Sequence, residues 1–152
     1  MTVLWRISNH ADLSGKGGLH SAARWHSAGH RIVYLAESPA GALVEMLVHL
    51  ELVEHSMPDT YQLLKVKVPA SVSRELVSKN LPEHWQDHPE HARALGDEWL
   101  SGRRSALLGV PSAVVGDTRN WLLNPAHPQA RRLKVQWARR FPVDGRLFRT
   151  NP

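Results

Sequence analysis

The sequence predicts a single α+β domain spanning residues 1–152, with a bent mixed β-sheet core flanked by helices. Three observations predict it. At 152 residues the chain is one domain's length, enough to bury a sizeable core without metal or disulfide staples. With 42% hydrophobic and 22% charged residues it has ordinary globular composition, which excludes wholesale disorder. Its hydrophobic pattern reads as two or three helices among six or more short strands without strict strand–helix alternation.

Thr2–Ser8 reads as a strand because Val3, Trp5 and Ile7 alternate with Leu4 and Arg6. A Gly- and Ser-rich loop follows, from Ser14-Gly15-Lys16-Gly17-Gly18 to Arg24-Trp25, and Ile32–Ala36 is a short β-type run. Ser38 suits an N-cap and Pro39 the first helical position of a helix running to about Glu54. Leu43, Val44, Met46, Leu47, Val48 and Leu50 make that helix apolar nearly all round, which predicts packing into a core. Tyr61–Val68 reads as a strand ended by Pro69, and Pro89–Leu100 as a helix closed by Gly102. Ala106–Val110, Ala113–Val115, Trp121–Leu123 and Leu133–Trp137 are further β-type runs.

Charge is uneven. Residues 1–100 carry 9 Lys and Arg against 12 Asp and Glu, whereas residues 101–152 carry 10 against 2. A cationic C-terminal third suits nucleic acid, a phosphate-bearing ligand or an acidic protein surface, and equally a solvated strand and tail. The tryptophans look scattered rather than interleaved with those arginines, and no helix-turn-helix segment is apparent. Zero cysteines excludes disulfide scaffolds, thiolate zinc sites and a cysteine nucleophile. No apolar run approaches the ~20 residues of a membrane span, and Met1–Arg6 lacks a signal-peptide layout. A cytoplasmic protein with no membrane association is the expectation.

Glu45 stands out among candidate chemical groups because Ala42, Leu43, Val44, Met46, Leu47 and Val48 surround it. A carboxylate is rarely buried without a partner. The competing reading puts it on a solvent stripe with Ala42, His49 and Leu52, a stripe that is hardly polar. Arg6 interrupts an apolar strand on the face of Leu4 and Ser8, either at the surface or aimed into a cleft as an anion ligand. Arg24 closes the glycine-rich loop, whose amides could approach a phosphate, although the loop matches no phosphate-binding motif. Tyr34, between Val33 and Leu35, suits an ordinary core position as well as a site. Ser112, Asn124 and His127 end apolar runs, where turn chemistry accounts for much of their placement. Histidine pairs His26/His30 and His84/His88 are interrupted by Gly29 and followed by Pro89, so no metal site is expected.

Taken together, these segments resemble the RES domain, the toxin half of Xre–RES toxin–antitoxin pairs. The matching stretches are Leu4-Trp5-Arg6-Ile7, Gly17-Gly18-Leu19, Arg24-Trp25, Val33 to Pro39, Ala42 to Glu45 with His49, Val110-Pro111-Ser112, Asn120, Leu123-Asn124-Pro125 with His127-Pro128, and Asp144 to Phe148. The resemblance implies an ADP-ribosyltransferase-like fold and toxicity through destruction of NAD, with NAD as substrate and no cofactor. It implies Arg24, Tyr34 and Glu45 as catalytic residues, and Arg6, Arg24, Tyr34, Ser112 and Asn124 as NAD-binding residues. His26 and Trp121 fall where variation is expected. The implied partner is an Xre-type helix-turn-helix antitoxin, with DNA reached only through it and a homodimer one allowed assembly. ADP-ribosylation of a macromolecule, and a basic nucleic-acid-binding regulator, are the competing functions.

Overall fold

A computed structural model describes residues 1–50, 60–77 and 81–148. Its core is a seven-stranded mixed sheet in the order β4-β5-β6-β2-β1-β3-β7. The strands are β1 (Thr2–Ser8), β2 (Val33–Ala36), β3 (Gln62–Val68), β4 (Arg74–Leu76), β5 (Leu107–Pro111), β6 (Arg119–Leu123) and β7 (Lys134–Arg140). Only β4 and β5 pair in parallel; the other neighbours are antiparallel. The two described helices are α1 (Pro39–Leu50) and α2 (Pro89–Gly102). The α+β architecture expected from the sequence is the one observed.

Period-two alternation sorts the strand residues into two layers. Leu4, Val33, Leu35, Leu64, Val66, Leu107 and Leu123 pack together on one side of the sheet. Leu108, Val110 and Leu122 face the other side, against Trp25, Trp85 and the α2 residues Ala92, Trp99 and Leu100. Consecutive residues of β5 and β6 are therefore buried on both faces, which explains why these strands read as continuous apolar runs.

Ser38 caps α1, its Oγ accepting from the Gly41 N–H at 2.9 Å. Residues 51–54, the predicted end of that helix, lie outside the described residues. The expectation that α1 sinks into a core is only half met. Ala42 and Met46 are buried, but Leu43, Val44 and Leu47 are half-buried, and Val48, which lines a cleft, is exposed. Helix α2 runs through Gly102, and Arg103 at φ 52° makes its left-handed cap.

Two strand expectations fail. Ala113–Val115 is a bend between β5 and β6, with Val114 and Val115 exposed, because Gly116 and Asp117 at φ 62° turn the chain back. The Ser112 N–H closes this hairpin onto Thr118 O at 2.8 Å. Strand β4 has no sequence signature, since three residues with two charges carry no visible alternation. Nor are all tryptophans apart from the basic residues. Register places Trp5, Lys65 and Trp137 side by side on β1, β3 and β7. Trp5 and Trp137 meet edge-on at 5.7 Å, and the Arg139 guanidinium lies 3.9 Å from the Trp137 ring centroid.

Candidate active site

A cleft of about 850 Å³ opens between α1, the Ser21–His26 loop, the start of α2 and the ends of β1, β2 and β5. That is within the ~300–1,000 Å³ usual for sites that hold small molecules and cofactors. Among the described residues Glu45 is its only lining carboxylate, and Arg6, Arg24 and Arg93 also line it.

The carboxylate wall rests on an α1–β6 contact. Asn120 pairs with Ala36 across β2 and β6, which aims its side chain at α1. Glu45 Oε1 accepts from Asn120 Nδ2 at 2.9 Å and from Ser112 Oγ at 2.7 Å. Ser112 is itself pinned: its Oγ accepts the N–H groups of Val114 and Val115, both at 3.1 Å. The same hydroxyl thus uses its proton on the carboxylate and its lone pairs on the turn. Of the supposed solvent stripe Ala42 is buried and His49 exposed, so half-buried Glu45 lies where that face of α1 passes from the core to the open cleft.

The opposite wall is built by α2 gripping the loop. Arg93 Nε donates to Ala23 O at 3.2 Å, and Asp97 accepts from Ser27 N and Ser27 Oγ at 2.8 and 2.6 Å. Between them, a Cβ on Gly96 would lie 1.6 Å from Trp25 O. Only glycine allows that approach, and its cost inside a helix is met by the packing it permits. Arg24, next to Trp25, is steadied by Nη1 donating to Gln86 O at 2.8 Å.

Tyr34 projects into the cleft from β2, and its hydroxyl is occupied. The Trp25 N–H donates to it at 3.2 Å, and His26 Nδ1 lies 2.8 Å away. The phenol oxygen accepts from the main chain and shares a second hydrogen bond with the imidazole, whose direction is set by the imidazole tautomer. Burial depresses the imidazole's pKa, opposed by the main chain of Ser21 and Gly18. Burial likewise raises the Tyr34 phenol well above its ordinary value, so the residue acts as a neutral ring.

The structure therefore brings Arg24, Tyr34 and Glu45 to one cleft, with Ser112 directly behind Glu45. It does not bring Asn124 there. That side chain is 2% exposed, donating to Leu100 O and accepting from the Ala126 N–H, which is a structural role. Arg6 reaches the cleft's edge on Leu4's side of β1, and its Nη1 donates to Asp12 O at 2.9 Å. At Gly15 and Gly18 of the glycine-rich loop a Cβ would strike the Ile32 and His30 main chain, so packing requires glycine there, and the Gly18 N–H is already given to Gly15 O at 3.1 Å. Sequence reasoning missed Arg93 and the roles of Asn120 and His26, the latter weighed only as half of a histidine pair and as a variable position. The isolated Gly96 within a helical pattern was the available signal for the first of these; the other two had none beyond lying in or beside the matching stretches.

Comparison with known proteins shows the family and the fold. The family model "RES domain" matches residues 3–145. A Pseudomonas putida protein named "Toxin Res" is 47% identical over 146 residues, covering 96% of this chain and 99% of that protein. A Sphingobium protein named "Prs ADP-ribosylating toxin" is 37% identical, covering 97% of this chain and 98% of its own. The toxin–antitoxin complex MbcT–MbcA of M. tuberculosis contains a chain of similar fold, with TM-score 0.72 and 17% identity over 90% of this chain and 82% of that one. The chain belongs to the RES-domain family.

Proposed function

We propose that this protein is the toxin of a toxin–antitoxin pair and that it cleaves the nicotinamide–ribose bond of NAD. The observation that carries the reading is the Glu45 carboxylate, immobilised by Ser112 and Asn120 in a cleft whose other wall is cationic. In NAD the leaving nicotinamide already bears positive charge. When the C–N bond breaks, its electron pair goes to the pyridinium nitrogen, so no general acid is required. The ribosyl carbon becomes an oxocarbenium centre, which a fixed carboxylate stabilises, and water or phosphate then completes the substitution. Tyr34 offers a neutral ring to nicotinamide or the adjoining ribose. The cleft arginines hold the phosphates.

The relatives named as toxins, and the structural neighbour from a toxin–antitoxin complex, support an antitoxin partner. A helix-turn-helix antitoxin that inserts a carboxylate between the cleft arginines would compete with NAD. The decisive assay is purified protein with NAD, with and without phosphate, and products resolved by mass spectrometry. Free nicotinamide above the no-enzyme control is expected; its absence under both conditions would overturn NAD cleavage by this chain alone. The name of the Sphingobium relative favours a second reading, transfer of ADP-ribose to a macromolecule. Its mark would be nicotinamide release that appears only when cell extract is added, with a protein gaining one ADP-ribosyl mass.

A further inference from the structure

We propose that the sheet face formed by β1, β3 and β7 binds single-stranded nucleic acid, a function independent of the NAD reading above. Register defines the face: Lys65 lies between Trp5 and Trp137, and Lys67 lies beside Lys134. Leu64, Val66 and Val68 are the buried residues of β3, so Lys65 and Lys67 point the other way. The register shift at Lys65/Val66 is what lets Lys134 and Trp137, three residues apart, share that face. Side-chain contacts agree. Lys65 Nζ is 5.8 Å from the Trp5 ring centroid, Trp5 meets Trp137, and Arg139 stacks on Trp137. Trp5 also lines the cleft, so this face adjoins the candidate active site.

The charge on this face is uncompensated. The three strands contain no Asp or Glu, and Lys65, Lys67, Lys134 and Arg139 have no ion-pair or hydrogen-bond partner among the described residues. Lys67 stands directly opposite Lys134, a placement in which like charges destabilise a sheet. Cations on β7 suit the edge strand that it is, since they deter pairing with another chain. That reason does not extend to Lys65 and Lys67, because β3 is paired on both sides. A polyanion laid across the two strands would relieve the repulsion and release its own counterions.

The aromatic residues choose among polyanions. Two indole rings sit among the four cations, and the exposed Arg139 guanidinium rests one face on Trp137 at 3.9 Å. Bases stack on such rings and guanidinium planes in a way that tolerates any sequence, whereas the carboxylates of an acidic peptide make no use of them. Along β3 a two-residue step carries Lys65 to Lys67 over about 6.8 Å, comparable with the separation of successive phosphates in an extended single strand. A sheet face also lacks the protruding helix or ribbon that enters a duplex groove. A single strand, whose bases are free to lie on the indoles, is the form that fits.

The test is fluorescence anisotropy of labelled oligo-dT and oligo-rU over a salt series, with a labelled duplex and with unlabelled poly-glutamate as competitor. Wild type should bind both single strands, with log affinity falling linearly against log salt. The double variant Lys65→Gln/Lys67→Gln should bind about tenfold or more weakly and lose about 1.4 of that slope, two phosphate contacts' worth. Trp137→Leu should bind about fivefold or more weakly at an unchanged slope, as loss of stacking does. Arg103→Gln/Arg131→Gln, which removes the same charge from exposed positions off the face, should bind nearly as wild type. The proposal is overturned by any of four results. These are no binding by wild type at low salt, equal losses from the two double variants, tighter binding of duplex than of single strand, or full affinity in Trp137→Leu. Displacement by poly-glutamate as readily as by unlabelled oligo-dT would also overturn it and would assign the face to an acidic protein. If the melting temperature shows that Trp137→Leu fails to fold, exposed Arg139→Gln decides, and full affinity in that variant overturns the proposal.

Discussion

The two walls of the cleft are built on opposite principles. On the α1 side the carboxylate is pinned through one oxygen: Glu45 Oε1 receives a hydroxyl and an amide, and the hydroxyl is itself held by two main-chain N–H groups. On the α2 side, Arg24 and Arg93 each give one hydrogen bond to the main chain. A carboxylate that must meet a short-lived positive centre gains from being immobile, since reorganisation at the moment of reaction is costly. Cations that must receive a ligand gain from keeping donors unspent. The rigidity of the second wall comes from packing, through Gly96 against Trp25, rather than from such pinning.

Substitutions that attack one wall at a time should separate these roles. The largest effect is expected for Glu45→Gln, which keeps shape and removes charge: kcat for NAD falls ~100-fold or more while the melting temperature hardly moves. Comparable turnover in this variant would show that the carboxylate wall is not where the chemistry occurs. Gly96→Ala should come next, pushing α2 off the Trp25 carbonyl. A stability loss of at least ~1–3 kcal/mol by denaturant titration is expected, as for overpacking, with NAD affinity lost more than kcat.

Ser112→Ala removes a donor to Glu45 and an acceptor for two N–H groups, at about 1–3 kcal/mol for the groups left unsatisfied. About tenfold lower kcat with near-normal KM would mark it as a positioning residue for Glu45; a change confined to KM would not fit. A smaller effect should come from acid. The folded-state pKa of His26 is depressed, so below the unfolded value of ~6.5 the unfolded chain takes up a proton that the folded chain resists. Stability should therefore fall as pH drops through that window, levelling once the folded imidazole also protonates, and His26→Asn should flatten the dependence. The smallest effect belongs outside both walls. Arg139→Ala should cost about 0.5–1 kcal/mol from its stacking on Trp137 and leave NAD turnover unchanged. Its loss of oligonucleotide affinity, greatest at low salt, is the separate mark of the β1–β3–β7 face.

The sequence by itself determined the fold class, most element positions and the family. Alternation in Thr2–Ser8, the Ser38-Pro39 helix start and the apolar runs of β5 and β6 are local signals, and local physics decides them. The oddity of Glu45 was also legible, because a carboxylate among six apolar neighbours demands a partner. Which partner it has was not legible: Ser112 and Asn120 lie 67 and 75 residues away, and only the pairing of β2 with β6 brings Asn120 under α1. The arginines follow the same division. Arg6, Arg24 and Arg93 are alike in sequence, each an isolated cation in a mixed segment. Tertiary structure decided that Arg6 is tied to Asp12 while Arg24 and Arg93 share the wall that α2 builds. Asn124 shows the converse, a polar residue whose position suggested a ligand and whose burial gave it to the Leu100 carbonyl instead. Side-chain type is a local property, but the number of donors a side chain has left depends on everything packed around it.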